Sequence, residues 1–329
     1  MPDPQRIAAT AHAVSLLPLP ASQADLAAVG VARGRIRAAR DAGELTPVRR
    51  GFWVPTSVWL AATAADRHEL ELRAALRAFP GAWASRSSAA RRLGLPTFDE
   101  PSPVGDQPHV HLSRAGTTWR EPGLTVHGNE VPEAFIEPIG RLLSTNLVRT
   151  AIETAAVPSP RRALAVIDAA MRLHVGKDAP DVRWAVRDPS CRDRACALFD
   201  AAVAPFSRHR WVTTVREAIQ LADPAAESVL ESMSRWSIMA AELPAPQCGV
   251  PLLGDDGVVY WVDLLWEDRR LIGEADGRAK YTSVDDLVAE KRRQEALSGA
   301  GYQIVRWGWD EGVTRPEIMI ERLRRALRS

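Results

Sequence analysis

The sequence predicts a multidomain α/β protein. A chain of 329 residues is long enough for two or three domains, each with its own core. Its composition, 46% apolar and 25% charged, is typical of globular proteins rather than of disordered chains. Changes in the helical and strand-like patterns divide the chain into an N-terminal helix–hairpin region, a mixed α+β middle region, a helical connector and a C-terminal α/β region, at residues 1–55, 56–175, 176–222 and 223–329.

The charge and cysteine content exclude several classes of protein. The 42 Lys and Arg residues balance the 41 Asp and Glu residues, so the net charge of +1 allows a nucleic-acid surface only as a local patch. Three cysteines, with neither CxxC nor zinc-quartet spacing, indicate a reduced, metal-free set. No run approaches about 18 apolar residues, and no basic stretch leads into a long apolar core near the N-terminus. We therefore expect a cytoplasmic protein with no membrane partner.

Residues 22–55 carry the pattern of a helix-turn-helix followed by a hairpin. Ser22 caps a short helix over 22–29, and Gly30 supplies the turn before a second helix over 31–42. Two short strands, 45–48 and 51–54, follow. This order of elements predicts a winged helix, whose second helix fits the major groove of DNA. The alternative is a helical hairpin with a charged surface, since arginine is common throughout this sequence.

Arginines occur where a winged helix contacts duplex DNA. Those on the second helix face the groove, and those at the hairpin tip neutralise phosphates. The last strand of the chain carries a further arginine that is expected to hold the DNA backbone. We therefore predict double-stranded DNA as a partner, contacted by Arg33, Arg35, Arg37, Arg40, Arg49, Arg50 and Arg306.

The middle region combines helical runs with two strands, 109–113 and 124–128. His109 and His111 project to the same side of the first strand, a spacing that permits metal chelation. No nearby cysteine or paired carboxylate completes a ligand set, so we favour a structural role for both histidines.

The C-terminal region is predicted to form one α/β unit. A helix precedes two strands joined by a polar turn, and a long amphipathic helix leads into a further strand and a final basic helix. The predicted elements are a helix over 224–241, strands over 258–266 and 271–277, a helix over 284–297, a strand over 302–309 and a helix over 316–327.

Three carboxylates interrupt the apolar hairpin of this region. Asp263 lies in the first strand, and Glu274 and Asp276 lie two residues apart in the second, so they share one face. Carboxylates gathered on a buried face repel one another and persist only if a cation compensates their charge. Oxygen ligands with open positions suit Mg²⁺ or Mn²⁺. An exposed hairpin, whose acids pair with nearby arginines, is the alternative interpretation.

Two families resemble parts of the chain. The string VDLLWEDRRLIGEADGRAKY, preceded by ESVLES and followed by EKRRQEALSGAGYQIVRWGW, resembles a PD-(D/E)XK nuclease core, and more narrowly the very-short-patch-repair-endonuclease-like domains. This resemblance implies a restriction-endonuclease-like α/β core over 223–329. The N-terminal RGRIRAARDAGELTPVRRGFWV, with SRSSAARRLGLP and STNLVRTAIE, resembles the AbiEi-type antitoxin and transcriptional-regulator family. This second resemblance implies a winged helix over 1–55 and an AbiEi-like region over 56–175.

The nuclease resemblance assigns metal ligands position by position. Asp263 matches the first motif aspartate, and Glu274 matches the acid of the (D/E)XK triplet. The backbone carbonyl of Ala275 would be a further ligand of Mg²⁺ or Mn²⁺. Glu227 or Glu231, on the preceding helix, matches the acid that helps position the metal or its water; we select Glu231 as the catalytic candidate.

The sequence departs from the nuclease pattern at the lysine of the triplet, where Asp276 stands. Lys280, shortly after the strand, and Lys291, on the following helix, are the candidates for a relocated catalytic lysine. Only three lysines occur in the chain, and a compact ammonium suits the orientation of water better than a guanidinium fork.

Two functions follow from these resemblances. The first is a metal-dependent endonuclease that hydrolyses DNA phosphodiesters, in phage defence, a toxin–antitoxin system or DNA repair, with the winged helix as its targeting domain. The second is a non-enzymatic regulator of the AbiEi antitoxin type, whose degenerate nuclease domain serves in contact with a cognate toxin or in self-association. Asp276 in the lysine position favours the second function, and the acids of the hairpin favour the first.

Overall fold

The computed structural model describes residues 4–98, 109–129, 131–206, 210–276 and 284–328. The chain divides into two compact units, residues 1–150 (unit 1) and 151–329 (unit 2). Helices and several sheets occur together, so the predicted mixed α/β, multidomain class is confirmed at that level. Within the described ranges no helix combines the length and the apolar character that a bilayer crossing requires.

Unit 1 begins with three helices and a small sheet. The second helix is held by a capping box, since the Ser22 hydroxyl accepts the Asp25 N–H at 3.1 Å and the Asp25 carboxylate accepts the Ser22 N–H at 2.7 Å. Gly30, at φ +77°, makes the turn into the third helix. The elements are α1 (Pro4–Ser15), β1 (Ala21–Ser22), α2 (Gln23–Ala28), α3 (Arg33–Asp41), β2 (Leu45–Arg49) and β3 (Phe52–Pro55), with strands in the order β1-β3-β2.

The inward face of α3 determines where its arginines point. Ile36 and Ala39, three residues apart, are buried against Leu26 of α2 and Leu45 of β2. The arginines at the intervening positions are therefore left on the solvent side of the helix. The predicted helix, turn, helix and hairpin are all present, and α1 and β1 are additions that the sequence pattern did not indicate.

The rest of unit 1 is a mixed sheet with flanking helices. A second capping box, between Thr63 and Asp66, starts a new helix after the first helix of this region. The elements are α4 (Thr56–Ala61), α5 (Ala64–Ala78), β4 (Trp83–Ala84), α6 (Arg86–Arg92), β5 (Val110–Arg114), β6 (Trp119–Glu121), β7 (Leu124–Gly128), β8 (Ile136–Ile139) and β9 (Leu142–Thr145). These strands are arranged in the order β6-β7-β5-β4-β9-β8.

Along the chain, unit 2 has a set of helices followed by a four-stranded sheet. After α7 (Leu147–Ala155), which starts in unit 1, its helical elements are α8 (Pro160–Gly176), α9 (Val182–Ala185), α10 (Pro189–Val203), α11 (Val212–Leu221) and α12 (Val229–Ala240). The sheet and its helices are β10 (Gln247–Leu253), β11 (Val259–Trp266), β12 (Leu271–Ala275), α13 (Val284–Gly299), β13 (Gln303–Trp307) and α14 (Pro316–Ala326).

The order of strands in unit 2 is β10-β11-β12-β13. The first three strands form an antiparallel meander, and β13 pairs with β12 in parallel, with Glu274 opposite Arg306. A parallel neighbour needs a crossover connection, and α13 lies within it. The strand β10 was not predicted from the sequence, because Pro244, Pro246 and Pro251 obscure its pattern. The predicted helix over 224–241 begins at Val229, where Ser228 caps it.

A buried ion pair joins α8 to α12 inside unit 2. Arg235 donates from Nη2 to both carboxylate oxygens of Asp168, at 3.0 and 2.8 Å, and Asp168 has no exposed surface. The Asp223 N–H also donates to Asp168, at 2.8 Å, and Arg235 Nη1 donates to the Leu221 carbonyl at 2.6 Å. This network fixes the orientation of α12, which also carries Glu231.

We expect Asp168→Asn to lower the free energy of unfolding by about 3–5 kcal/mol, because the Arg235 charge stays buried without its partner. The double variant Asp168→Leu, Arg235→Met removes both charges and is expected to lose less stability than the single variant. Urea denaturation of the three proteins measures the difference. A double variant less stable than Asp168→Asn would contradict this account of the pair.

Candidate functional site

Two acids meet at the junction of β11 and β12. Asp263 and Glu274 lie one position beyond the antiparallel pair Leu264–Gly273, so they stand opposite each other on neighbouring strands. The Asp263 Oδ2 atom accepts the Ala275 N–H at 2.7 Å, which places the Ala275 peptide beside this carboxylate. The strand pairing thus brings together the three positions that the nuclease resemblance assigns as metal ligands.

A third acid reaches Asp263 from the start of α12. The Glu231 N–H donates to the capping hydroxyl of Ser228 at 3.2 Å, and Glu231 Oε2 accepts the Glu227 N–H at 2.8 Å. Glu231 is only 4% exposed. Burial, and next the negative charge of Asp263, raise the pKa of the Glu231 carboxyl to about 8.

Of the two helix acids proposed from the sequence, Glu231 faces Asp263, whereas Glu227 is bound elsewhere. Glu227 accepts Arg172 Nη2 at 2.8 Å and is held by two hydrogen bonds from Arg183, at 2.8 and 2.9 Å. Its charge is therefore compensated by two guanidinium groups, and Glu231 is the one of the two acids whose pKa the charge of Asp263 raises.

Glu274 is buried to 3% exposure in β12. Burial, and then the charge of Asp263, raise the pKa of its carboxyl to about 7, although Arg293 and Arg306 act in the opposite direction. The carboxyls of Glu231 and Glu274 thus both have raised pKa values, because they are buried and lie within electrostatic reach of the negative charge of Asp263. Such an environment favours a cation.

Arg293 supplies part of that positive charge. Its Nη2 atom donates to Glu274 Oε1 at 2.7 Å and to the Trp261 carbonyl at 2.9 Å. Sequence reasoning missed this residue. Helical spacing was the available signal, because Arg293 stands three and four residues before the buried Ala296 and Leu297 and so shares their face of α13.

The lysines chosen from the sequence are not brought to the acids in the described part of the chain. Lys291 lies on the outer side of α13, 79% exposed, with its Nζ 3.8 Å from Glu295. Lys280 lies outside the described residues. The cation that the structure places against Glu274 is thus a guanidinium.

Arg306, expected to hold the DNA backbone, is engaged within unit 2 instead. Its Nη2 atom donates to Glu290 Oε1, and its Nη1 atom lies 4.0 Å from Asp276 Oδ2. Asp276, the residue in the lysine position, therefore stands beside a guanidinium that compensates its charge. The parallel pairing of β13 with β12 is the physical reason, because it sets Arg306 beside the end of the hairpin.

The donor set at the hairpin suits a hard cation. In the parts of the chain with described coordinates, no three Asp, Glu, His or Cys groups are placed to form a metal site by themselves. Mg²⁺, however, is bound by proteins through one or two carboxylates and keeps several waters. Asp263 and Glu274 with the adjacent Ala275 peptide fit that requirement, and Glu231 lies behind Asp263 as a buried acid.

The arginines predicted to contact DNA differ in their surroundings. Those of α3 are exposed, and Arg33, Arg37 and Arg40 line a cavity of about 170 Å³ together with Trp53 of β3. Arg50, at the hairpin tip, is also exposed, as is Arg35.

Arg49 is turned away from solvent. Its side chain is 10% exposed, its Nη1 atom donates to Glu121, and its Nε atom lies 3.7 Å from Glu71 Oε2. The register between β2 and β3 shifts between Pro47 and Arg49, so strand alternation predicts its direction incorrectly. We therefore remove Arg49 from the predicted phosphate contacts.

The histidines of the middle region pair with each other. His111 Nδ1 and His127 Nε2 are 2.9 Å apart, and His109 Nε2 lies 3.0 Å from Thr125 Oγ1. Burial chiefly lowers the pKa of both His111 and His127 to about 3, so these imidazoles are neutral at physiological pH. These contacts agree with a structural role.

The raised pKa of Glu231 predicts a pH dependence of stability. The folded chain binds this proton up to about pH 8, whereas the ordinary carboxyl value is 4.5. Between these values the folded state holds more protons than the unfolded state, so the free energy of unfolding falls as the pH rises. We expect Glu231→Gln to reduce this fall and to be more stable than the wild type at pH 8.

Urea unfolding from pH 5 to pH 8, without divalent cations, measures the effect. Glu242→Gln, which changes an exposed acid just after α12, is the matched control and is expected to follow the wild type. Parallel pH curves for the wild type and Glu231→Gln would show that Glu231 is not the titrating group.

Comparison with known proteins identifies relatives of this chain. No family model matches the sequence. The "Uncharacterized protein Rv2248" and the "Uncharacterized protein MT2308", from two strains of Mycobacterium tuberculosis, are each 30% identical over 274 residues, which cover 82% of this chain and 91% of the relative.

Among solved structures, the crystal structure of the RV2827C protein from Mycobacterium tuberculosis aligns with a TM-score of 0.37 and 17% identity, over 66% of this chain and 82% of that one. The sequence identity and mutual coverage with the first two proteins show that the chain belongs to the same family as Rv2248 and MT2308 of Mycobacterium tuberculosis.

Proposed function

We propose that unit 2 is a metal-dependent DNA endonuclease domain of the PD-(D/E)XK type and that α2, α3 and the β2–β3 hairpin form a winged helix that binds duplex DNA. The observation that carries the proposal is the placement of Asp263 and Glu274 on neighbouring strands beside the Ala275 peptide, with the buried Glu231 within electrostatic reach of Asp263. The order of elements supports it, since a helix, an antiparallel hairpin, a crossover helix and a parallel strand agree with the α/β core that the nuclease resemblance implies.

The chain's own residues have distinct parts in this proposal. Asp263 and Glu274 would hold Mg²⁺ or Mn²⁺ beside the Ala275 peptide, where such an ion would supply Lewis-acid polarisation of the scissile phosphate and a lower pKa for its water. Glu231, buried within electrostatic reach of Asp263, helps to position the metal or its water. Arg293 fixes the orientation of Glu274 and adds positive charge where the family's lysine is replaced by Asp276.

The proposed setting combines targeting with cleavage. The winged helix brings the protein to double-stranded DNA in the cytoplasm, for phage defence, a toxin–antitoxin system or DNA repair. The exposed arginines of α3 support this assignment, because a helix with an arginine face matches the major groove and its phosphates.

A second candidate function is favoured by one specific observation. Arg293 already donates to Glu274 at 2.7 Å, a contact that compensates the acid without any metal. Asp276, in the position of the family's lysine, also favours a function without catalysis. The alternative is a non-enzymatic regulator of the AbiEi antitoxin type, in which unit 2 binds a cognate toxin or a second copy of the chain.

Cleavage of DNA tests the first candidate. We expect the full chain to cut supercoiled and linear DNA with Mg²⁺ or Mn²⁺, and Asp263→Asn to lose at least about 100-fold in rate, since metal stabilisation of the transition state is worth several kcal/mol. Asp268→Asn, in the exposed turn of the same hairpin, is the matched control and is expected to keep full activity.

Two results separate the candidates. Cleavage that persists in Asp263→Asn would place the activity elsewhere and overturn the assignment. A wild-type chain that binds duplex DNA but does not cut it with either metal would favour the regulator.

Duplex binding tests the winged helix. We expect Arg37→Ala to weaken binding and to reduce the slope of log K against log salt by about 1, since one phosphate contact is lost. Arg73→Ala, an exposed arginine of α5 paired with Glu69, and Arg49→Ala are expected to leave that slope unchanged. A slope that is the same for Arg37→Ala and the wild type would remove α3 from the interface.

A further inference from the structure

An exposed tryptophan stands next to the acid site of unit 2. Trp184, in the short helix α9, is 56% exposed, although its ring is held edge-on against Trp261 with the centroids 5.1 Å apart and the planes at 73°. Trp261 belongs to β11, two residues before Asp263. A single exposed tryptophan is ordinary on a protein surface, so its neighbours decide whether it has a role.

A fixed arginine connects this aromatic pair to the acids. The guanidinium carbon of Arg183 lies 5.5 Å from the centre of the Trp261 ring. Two hydrogen bonds to Glu227 hold Arg183 in place, and Glu227 is itself held by Arg172 at 2.8 Å. The same hydrogen bonds chiefly raise the pKa of Arg183, and the charge of Asp263 adds to the effect, so the guanidinium lies within electrostatic reach of the acid site.

Two further arginines follow α9, at a cavity that Asp223 also lines. Val186 and Arg187, which directly follow the helix, line a cavity of about 300 Å³. Arg192, at the start of α10, lines it as well, and Arg187 is oriented there by a 3.1 Å hydrogen bond to the Gly249 carbonyl. The surface around α9 therefore combines an exposed aromatic ring with neighbouring arginines, the combination by which proteins bind single-stranded nucleic acid.

We propose that Trp184 is a stacking platform for an unpaired base of the DNA strand whose phosphate lies at Asp263 and Glu274. This inference rests on the proposed nuclease function and names its substrate class: DNA with unpaired nucleotides beside the cut, such as a single strand, a gap or a flap. Both faces of a base inside a duplex are covered by its neighbours, so only an unstacked base can lie on the ring. Arg183, and Arg187 with Arg192, then contact the backbone on either side of that base.

Equilibrium binding tests the proposal without cleavage. The full chain carrying Asp263→Asn is mixed, with Mg²⁺ present, with a labelled single-stranded oligonucleotide, a gapped duplex and a fully paired duplex of the same sequence. Adding Trp184→Ala is expected to weaken binding of the first two about tenfold, since one base–aromatic stack is lost, and to leave the paired duplex unchanged. Trp184→Phe is expected to recover most of the loss, because an aromatic face is restored.

The control is Trp119→Ala in unit 1, a tryptophan with a comparable 43% exposure, which is expected to bind all three DNAs as the parent does. Thermal melting verifies that each variant is folded. Equal binding of single-stranded DNA with and without Trp184, an equal loss on all three DNAs, or no binding of single-stranded DNA by the parent would each overturn the platform. Cleavage of DNA by the wild type is measured separately, so a failed platform and a failed nuclease assignment give different results.

Discussion

Burial of carboxyl groups beside the β11–β12 hairpin is the constraint on which the candidate site of unit 2 depends. Glu231 of α12 and Glu274 of β12 lose hydration there, and the charge of Asp263 on β11 disfavours their ionisation further. Backbone N–H groups and Arg293 offset part of that charge, as the contacts of Asp263 with Ala275 and of Glu274 with Arg293 show. Burial of these acids lowers the stability of the folded chain. Strongly perturbed acids of this kind are more typical of functional sites than of purely structural ones.

The crossover through α13 explains which cations reach these acids. Parallel pairing of β13 with β12 carries Arg306 to the end of the hairpin, and the inner side of α13 presents Glu290 and Arg293 to the sheet. Lys291, two residues before Arg293, is rotated toward solvent. Two residues, about half a turn of helix, thus separate the arginine that binds Glu274 from a lysine on the opposite side of α13.

Packing and internal ion pairs also decide which arginines of unit 1 are exposed. Residues on α3 stay exposed because Ile36 and Ala39 occupy the buried side of the helix. Arg49 is of the same type and close in sequence, but Glu71 and Glu121 withdraw it from the surface and leave Arg50 exposed. Arginines held in internal ion pairs do not point to a nucleic-acid surface, so only the exposed arginines indicate one.

Composition and periodicity by themselves predicted the mixed α/β class, the order of helix, turn, helix and hairpin in unit 1, and the placement of Asp263 and Glu274 on one hairpin, because these features depend on local spacing and on apolar patterns along single elements. They did not reveal β10, whose prolines hide its pattern, or the buried pair of Asp168 and Arg235. Tertiary structure alone decided that Arg172 and Arg183 bind Glu227 and that Arg293 rather than Lys291 binds Glu274. The reason is that an ion pair forms at about 3 Å between separate elements, and only strand register and helix packing set distances of that order.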